Sequence, residues 1–409
     1  MKDWEKKKLG EVYDVRDGTH DSPKFVKEGY ALITSKNLKD DKLNYDSVNY
    51  ITEQDYININ KRSKVGKGDI LFAMIGTIGN PIVVKDEPDF AIKNVALFKV
   101  PTNQDSYFLK YYLDSSFAVE QMTKDAKGAT QKFVGLGYLR NFEILLPSLN
   151  EQQRIVAILD EAFAIIEKAK ANAEQNLKNA KELFESYLQA VFENKGENWE
   201  EKTLDQISKT FGRGKSKHRP RNWDGLYGGN YPFIQTGDIR NCDHYITKYT
   251  QTYNETGLAQ SKLWKAGTIC ITIAANIAET GIITFDSCFP DSVIGIEVNE
   301  NYADRDFVEY LLQSFKVRLQ ALGKGSAQAN INMGTFENHL FPFPSVKEQK
   351  TIVQSLNALS NETKKLETIY RQKINDLEEL KKSILQKAFT GALLNSELAE
   401  KKPKNPYYE

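Results

Sequence analysis

The stretch LPSLNEQQRIVAIL, residues 146–159, returns as FPSVKEQKTIVQSL at 343–356, and this recurrence decides the fold. Seven of the fourteen positions are identical at a constant offset of 197: Pro147/Pro344, Ser148/Ser345, Glu151/Glu348, Gln152/Gln349, Ile155/Ile352, Val156/Val353 and Leu159/Leu356. Upstream, KGATQ (127–131) meets KGSAQ (324–328) at the same offset. Further back, GYALITSKNLK (29–39) resembles NYPFIQTGDIR (230–240), and GDILFAMIGTIG (68–79) resembles GTICITIAANIA (267–278). WEKKKLGEV (4–12) resembles WEEKTLDQI (199–207). The offsets drift only between 195 and 201, as small loop insertions require. The chain is two versions of one unit.

Each unit begins with short apolar runs such as YALIT, DILFAMI, YPFIQT and TICITIAA, separated by Gly, Asn and Asp turns, which predicts strands. One long helix follows. Ser148-x-x-Glu151 and Ser345-x-x-Glu348 both read as capping boxes just after a proline. Apolar positions then recur at steps of four and three: Ile155, Leu159, Ala162, Ile166, Ala169 and on to Ala190, and Ile352, Leu356, Leu359, Thr363, Leu366 and on to Lys387. A period of 3.5 sustained this long predicts a coiled-coil seam. Residues 150–198 carry six basic and nine acidic groups and 346–393 carry nine and six, so the helices are suited to pairing with each other.

Connectivity requires the pair to be antiparallel, because the first helix leads into the second unit near Trp199 and the second should return to the first near Trp4. The expected class is therefore α+β: two related β-rich domains separated by two long antiparallel helices in an intramolecular coiled coil, with approximate two-fold pseudosymmetry. The expected boundaries are 1–149 for the first domain, 150–195 for the first helix, 196–345 for the second domain, 346–393 for the second helix and 394–409 for a flexible tail. Gly391 is the expected stop of the second helix.

Bulk properties exclude several classes. With 409 residues, 40% hydrophobic and 11% aromatic, the chain supports two or three packed domains. The N-terminus has no apolar run after its charges, and the most apolar stretch, 269–283, is interrupted by Asn276 and Glu279 and reads as buried strand. A soluble, cytoplasmic protein without membrane association is expected. Cys242, Cys270 and Cys288 form no CxxC pair, and Cys242 with His244 lacks a second ligand pair, so no metal is expected. There is no P-loop and no dinucleotide fingerprint. His20 with Asp17 and Asp21 reads as a polar turn, and NPYY (405–408) lies in a charged tail with no strand before it.

With 55 basic and 55 acidic groups, a DNA binder must concentrate its cations locally. Three places do so. The loop 209–225 carries Lys209, Arg213, Lys215, Lys217, His218, Arg219 and Arg221 with no acid before Asp224, suited to phosphates and guanine edges. The repeated Lys-Gly-x-x-Gln supplies Lys127, Gly128, Thr130 and Gln131, and Lys324, Gly325, Ser326 and Gln328, where glycine lets backbone approach a phosphate. The polar turn after the first strong strand supplies Ser35, Lys36, Asn37 and Lys39 against Thr236, Asp238 and Arg240, whose differing types suit two readers of different bases. On the first helix, Leu177, Phe184, Leu188 and Val191 lie outside the expected seam, where they either form a docking face for a partner or pack on the neighbouring domain.

The duplicated PSxxEQ segments, the long helices, GATQKF and GSAQANIN ahead of them, and head segments such as RDGTHDSPK, FGRGKSKHRPR and CFPDSVIG resemble the DNA-specificity subunit of Type I restriction–modification systems. The similarity covers nearly all of residues 4–393 in order. It implies that each β-rich domain reads one half of a bipartite site in double-stranded DNA and that the helices set the gap. It also implies no catalysis of its own. Two modification subunits would use S-adenosylmethionine to methylate adenine, and two restriction subunits would translocate and cleave DNA with ATP, so both cofactors would bind partners. The competing readings are a self-sufficient DNA methyltransferase or nuclease, and a tandem-domain repressor.

Overall fold

The computed structural model describes residues 4–39, 41–126, 128, 132–274, 277–324 and 333–390. It separates into two compact units, Met1–Glu174 with Gln372–Glu409, and Gln175–Arg371. Each is built on a central antiparallel sheet with the same strand order. In the first unit the order is Asp14–Asp17, Val95–Lys99, Ile70–Ala73, Gly79–Val83. In the second it is Ser208–Arg213, Val293–Val298, Ile269–Thr272, Thr280–Ile283, with Tyr245–Ile246 added in parallel at the edge. The apolar stretch 269–283, expected as one strand, is two strands paired antiparallel. Ala278, with φ of 61°, lies in the turn between them.

These strands read as unbroken apolar runs because both faces are covered. In the first unit Ile70, Phe72, Ala96 and Phe98 point to a core shared with the long helices. Leu71, Ala73, Val95 and Leu97 point the other way, against Ala31, Ile33 and Ile92 of a smaller sheet. The second unit repeats the alternation, with Ile269, Ile271, Ile294 and Ile296 in the helix-side core and Cys270 and Val293 opposite. The entering strand Glu5–Lys8 pairs with Glu143–Leu146, just before the first long helix, and Glu200–Lys202 pairs with Phe341–Phe343, just before the second.

The long helices span Leu149–Glu193 and Val346–Phe389, 45 and 44 residues, or about 65 Å each. Gly391 and the tail lie outside the described residues. Each unit holds the start of one helix and the end of the other. Within the first unit they run antiparallel: Glu167 pairs with Lys381 (3.0 Å) and Lys170 with Glu378 (2.8 Å), partner numbers falling as the first helix advances.

Half of the expected seam is correct. Leu159, Ile166, Ala173 and Ala180 are buried, as are Leu356 and Thr363. The second line of the seam is displaced by one residue. Val156, Phe163 and Ala388 are buried, whereas Leu183, Leu366 and Leu380 are exposed. The true line passes through Lys170, Leu177 and Phe184 in the first helix and through Ser360, Glu367, Ile374 and Lys381 in the second.

The repeated glutamine explains the recurrence of the opening motif. Gln152 is fully buried, and its amide donates to Pro147 O (2.9 Å) and Gln104 Oε1 (2.8 Å) while its oxygen accepts from Asp105 N (2.9 Å). Asp105 is itself the N-cap of the helix Ser106–Asp114. Gln349 repeats this: it donates to Pro344 O (2.8 Å) and accepts from Asp304 N (2.7 Å), and Asp304 accepts from Phe307 N at the start of the helix Arg305–Lys324. A second tie follows about two turns on, Tyr111 to Asp160 (2.5 Å) and Tyr310 to Asn357 (2.7 Å).

Aromatic packing fastens the other helix of each pair. Trp4 and Phe389 both meet Phe108 edge-on, and Trp199 and Phe192 both pack on Phe307. The expected capping boxes are incomplete. Ser345 Oγ accepts from Glu348 N (3.3 Å), but Glu348 takes the Trp199 indole and Glu151 holds Arg154.

Candidate nucleic-acid interface

The basic loop leaves the strand Ser208–Arg213 at Gly214, where an added Cβ would come within 2.3 Å of Phe289 O. Only glycine fits so close a crossing. Gln260 Oε1 then accepts from both Lys217 N (2.6 Å) and His218 N (3.0 Å), and Ser261 Oγ donates to Lys215 O (2.7 Å). The backbone is fastened while the Lys215 and Lys217 side chains are exposed and hold no ion pair among the described residues. Lys209 is exposed on the strand itself. His218 stacks on Trp223 at 4.7 Å and 16°, and Trp223 remains 47% exposed.

The arginines correct the expectation of a loop free of acids. Arg221 makes a fork to both oxygens of Asp291 (2.6 and 2.7 Å), and Arg219 is held by Ser216 O (2.7 Å) and His218 O (2.8 Å). Arg213 Nε donates to Asp291 O (2.7 Å). Asp291 lies seventy residues along the chain from Arg221, and so could not be counted within the loop. These bonds hold the guanidinium groups in place, and the loop presents the lysines, the stacked ring pair and the half-exposed arginines Arg219 and Arg221.

The polar turn after the first strong strand also requires correction. Asn37 is buried, its oxygen accepting from Thr34 N and Thr34 Oγ1 (2.9 Å each) and its amide donating to Asn44 O (3.0 Å), so no polar atom is left for a base. Asp238 does the same work in the second unit, accepting from Gln235 N at 2.8 Å. Amide and carboxylate differ in type here because either can accept that bond. Thr236 and Arg240 open and close the short helix that Asp238 caps, and Ser35, Lys36 and Asn37 form a 3-10 turn followed by Lys39. Lys36, Lys39 and Arg240 are exposed. Ser35 Oγ reaches Asn94 O (3.4 Å).

Asn94 links this turn to the His20 cluster. His20 Nδ1 lies 2.8 Å from Asn94 Oδ1 and Nε2 lies 2.9 Å from Asp17 Oδ2, while Arg62 holds the other oxygen of Asp17. A cleft of about 550 Å³ opens here, lined by His20, Asp21, Asp55, Asn58 and Arg62. Arg62 lies more than forty residues from His20 in sequence and carries no local signal that would associate the two.

Of the repeated Lys-Gly-x-x-Gln, Gly128 is exposed with φ of 103°, a conformation that favours glycine. Lys127, Thr130, Gln131, Gly325, Ser326 and Gln328 lie outside the described residues, and Lys324 closes its helix with its side chain outside them.

Of the two readings open for the off-seam apolar residues, packing on the neighbouring domain describes most of them. Leu188 belongs to the second unit's core, and Phe184 and Val191 pack against it. Leu177 is half-buried. These residues follow the displaced seam and are covered by the chain itself.

Among the described residues no cluster of three His, Cys, Asp or Glu side chains is arranged to hold a metal. Burial pushes the Cys242 thiol up to about 12. His244 is buried between Asp306 (3.0 Å) and Glu309 (2.5 Å). Burial by itself lowers its pKa, but the hydrogen bonds to the two carboxylates prevail and raise it to about 9.

The family model described as the Type I restriction modification DNA specificity domain matches residues 1–176 and again 196–379. The chain belongs to this family. Among specificity-subunit relatives, the putative type I restriction enzyme MjaX specificity subunit of Methanocaldococcus jannaschii is 25% identical over 96% of this chain and 94% of its own. The EcoBI specificity subunit of Escherichia coli is 27% identical over 45% of this chain and 39% of its own. A solved structure described under complex assembly and conformational transition of the type I R-M system has the same fold, with a TM-score of 0.73 at 20% identity, covering 95% of this chain and 97% of that one. The HsdS subunit of Thermoanaerobacter tengcongensis matches with the same coverage at a TM-score of 0.61 and 20% identity. No helix among the described residues is long and apolar enough to cross a membrane.

Proposed function

We propose that this chain is the non-catalytic DNA-reading subunit of a Type I restriction–modification complex. Each β-rich domain reads one half of a bipartite duplex site, and the helices set the gap and carry the modification subunits. The observation that supports this most is the duplicated framework, with the same sheet order and the same glutamine anchor, from which dissimilar loops emerge. An identical scaffold with different loops is what reading two different half-sites requires. Partner subunits supply methyl transfer to adenine and ATP-driven cleavage.

The test is reconstitution. The purified chain alone should neither methylate nor cleave duplex DNA, and adding the host's modification subunits should yield adenine methylation at one split motif. Methylation by the chain alone, or no split motif from the mixture, would overturn the proposal.

A further inference from the structure

We propose that the segment 19–28 of the first unit is that unit's DNA-reading loop, the spatial counterpart of the basic loop 215–226, with Lys24 and Lys27 on phosphates and Phe25 against the bases. This rests on the DNA-reading function proposed above and names the site in the first unit. The two segments share few residues and differ in length, but they leave equivalent register positions of their sheets, Asp17 paired with Ala96 and Arg213 with Ile294.

Both loops leave the same edge position of the central sheet through a glycine pressed on the backbone. Gly18 N donates to Val95 O (3.0 Å) and Gly214 N to Val293 O (2.9 Å). An added Cβ would come within 2.3 Å of Ile92 O at Gly18 and of Phe289 O at Gly214. The two valines are equivalent, since Val95 pairs with Ala73 and Val293 with Thr272, each the last residue of the matching strand. Two residues before each valine, one side chain reaches into its loop: Lys93 Nζ donates to Ser22 Oγ (2.7 Å), and Asp291 holds Arg221. The loops thus share an exit, a steric constraint and a tether position, with the tether's charge reversed.

What the loops present is also alike. Phe25 is 56% exposed and Trp223 47%. Lys24 and Lys27 flank Phe25 as exposed ammonium groups with no partner among the described residues, and Lys215 and Lys217 are likewise exposed and unpaired in the loop that carries Trp223. An exposed aromatic ring between free cations suits a duplex, where the cations neutralise phosphates and the apolar ring meets a thymine methyl or a base step.

The experiment uses the full chain co-expressed with its host's modification subunits. Adenine-methylation mapping first gives the wild-type split motif, and duplexes carrying that motif are then titrated at several salt concentrations. K24A/K27A should weaken binding roughly tenfold and reduce the slope of log affinity against log salt by about 2. F25A should broaden the base requirement in one half only, and K215A/K217A should act through the other half. Variants with the wild-type melting curve but unchanged affinity and motif, or with losses shared equally by both halves, would overturn the inference. A wild-type complex with no split motif would overturn the function on which it rests as well.

Discussion

The helix Ser106–Asp114 of the first unit and the helix Arg305–Lys324 of the second carry a buried charge at the same place, with opposite signs. Lys110 is buried against Asp41 (2.9 Å) and Asp114 (3.6 Å). Glu309, one residue before the equivalent tyrosine, is buried against His244, Thr280 and Gln313. The tether positions Lys93 and Asp291 show a second reversal. The glutamine anchors at Gln152 and Gln349, by contrast, share their two main bonds, to the preceding proline carbonyl and from the N-cap aspartate N–H, and differ only in a third partner. Where a side chain positions the helix, the units agree. Where it fills a polar slot among neighbours, they differ together with those neighbours, because a buried charge is tolerated only with its complement.

The most damaging change should be the one that breaks a reversed pair on one side only. K110E places a carboxylate between Asp41 and Asp114 and should cost the first unit about 3–5 kcal/mol, read by urea unfolding of the full chain. K110E/D41K should recover a large part of that, and a double variant no better than the single one would refute compensated exchange.

Next come the anchors. Q152A and Q349A each leave a buried backbone N–H and carbonyl unpaired and should each cost about 3 kcal/mol. Near-equality of the two losses is the informative result, and a several-fold difference would show that the two sites are not doing the same work.

The reversed slot also predicts a pH dependence confined to the second unit. The imidazole of His244 rises from its ordinary 6.5 to about 9 in the folded protein. Its stabilisation, about 3 kcal/mol at most, is therefore fully present below pH 6.5 and lost as pH climbs through about 9. Urea unfolding across that window should show the loss, and H244Q should flatten it. Unchanged stability between those limits would contradict the ion triad.

Much of this architecture is legible in the sequence, and what is not has physical reasons. The duplication, the strands and the helix starts follow from repetition and apolar spacing. One seam line is displaced because Ile155 and Val156, and Ala162 and Phe163, are adjacent apolar residues that spacing alone does not separate. The true line also passes through Lys170, Glu367 and Lys381, whose stems pack while their charges reach water, so an apolar pattern passes over them. The basic loop is visible from its charge. Its counterpart at 19–28 is not, because nearly equal numbers of acids and bases hide it and its equivalence lies in backbone bonds. Asn37 and Asp238 look like DNA contacts because a polar turn reads the same whether its side chains face outward or close on their own backbone.

The central claim is that two dissimilar readers are joined by helices of defined length. It is tested most directly by inserting one heptad after residue 175 and another after residue 372, which preserves the seam in both helices. The added length is about 10 Å, or roughly three base pairs. Methylation mapping of the host should then show the two half-sequences unchanged and the gap between them longer by about three base pairs. An unaltered gap in a folded, active complex would contradict the account.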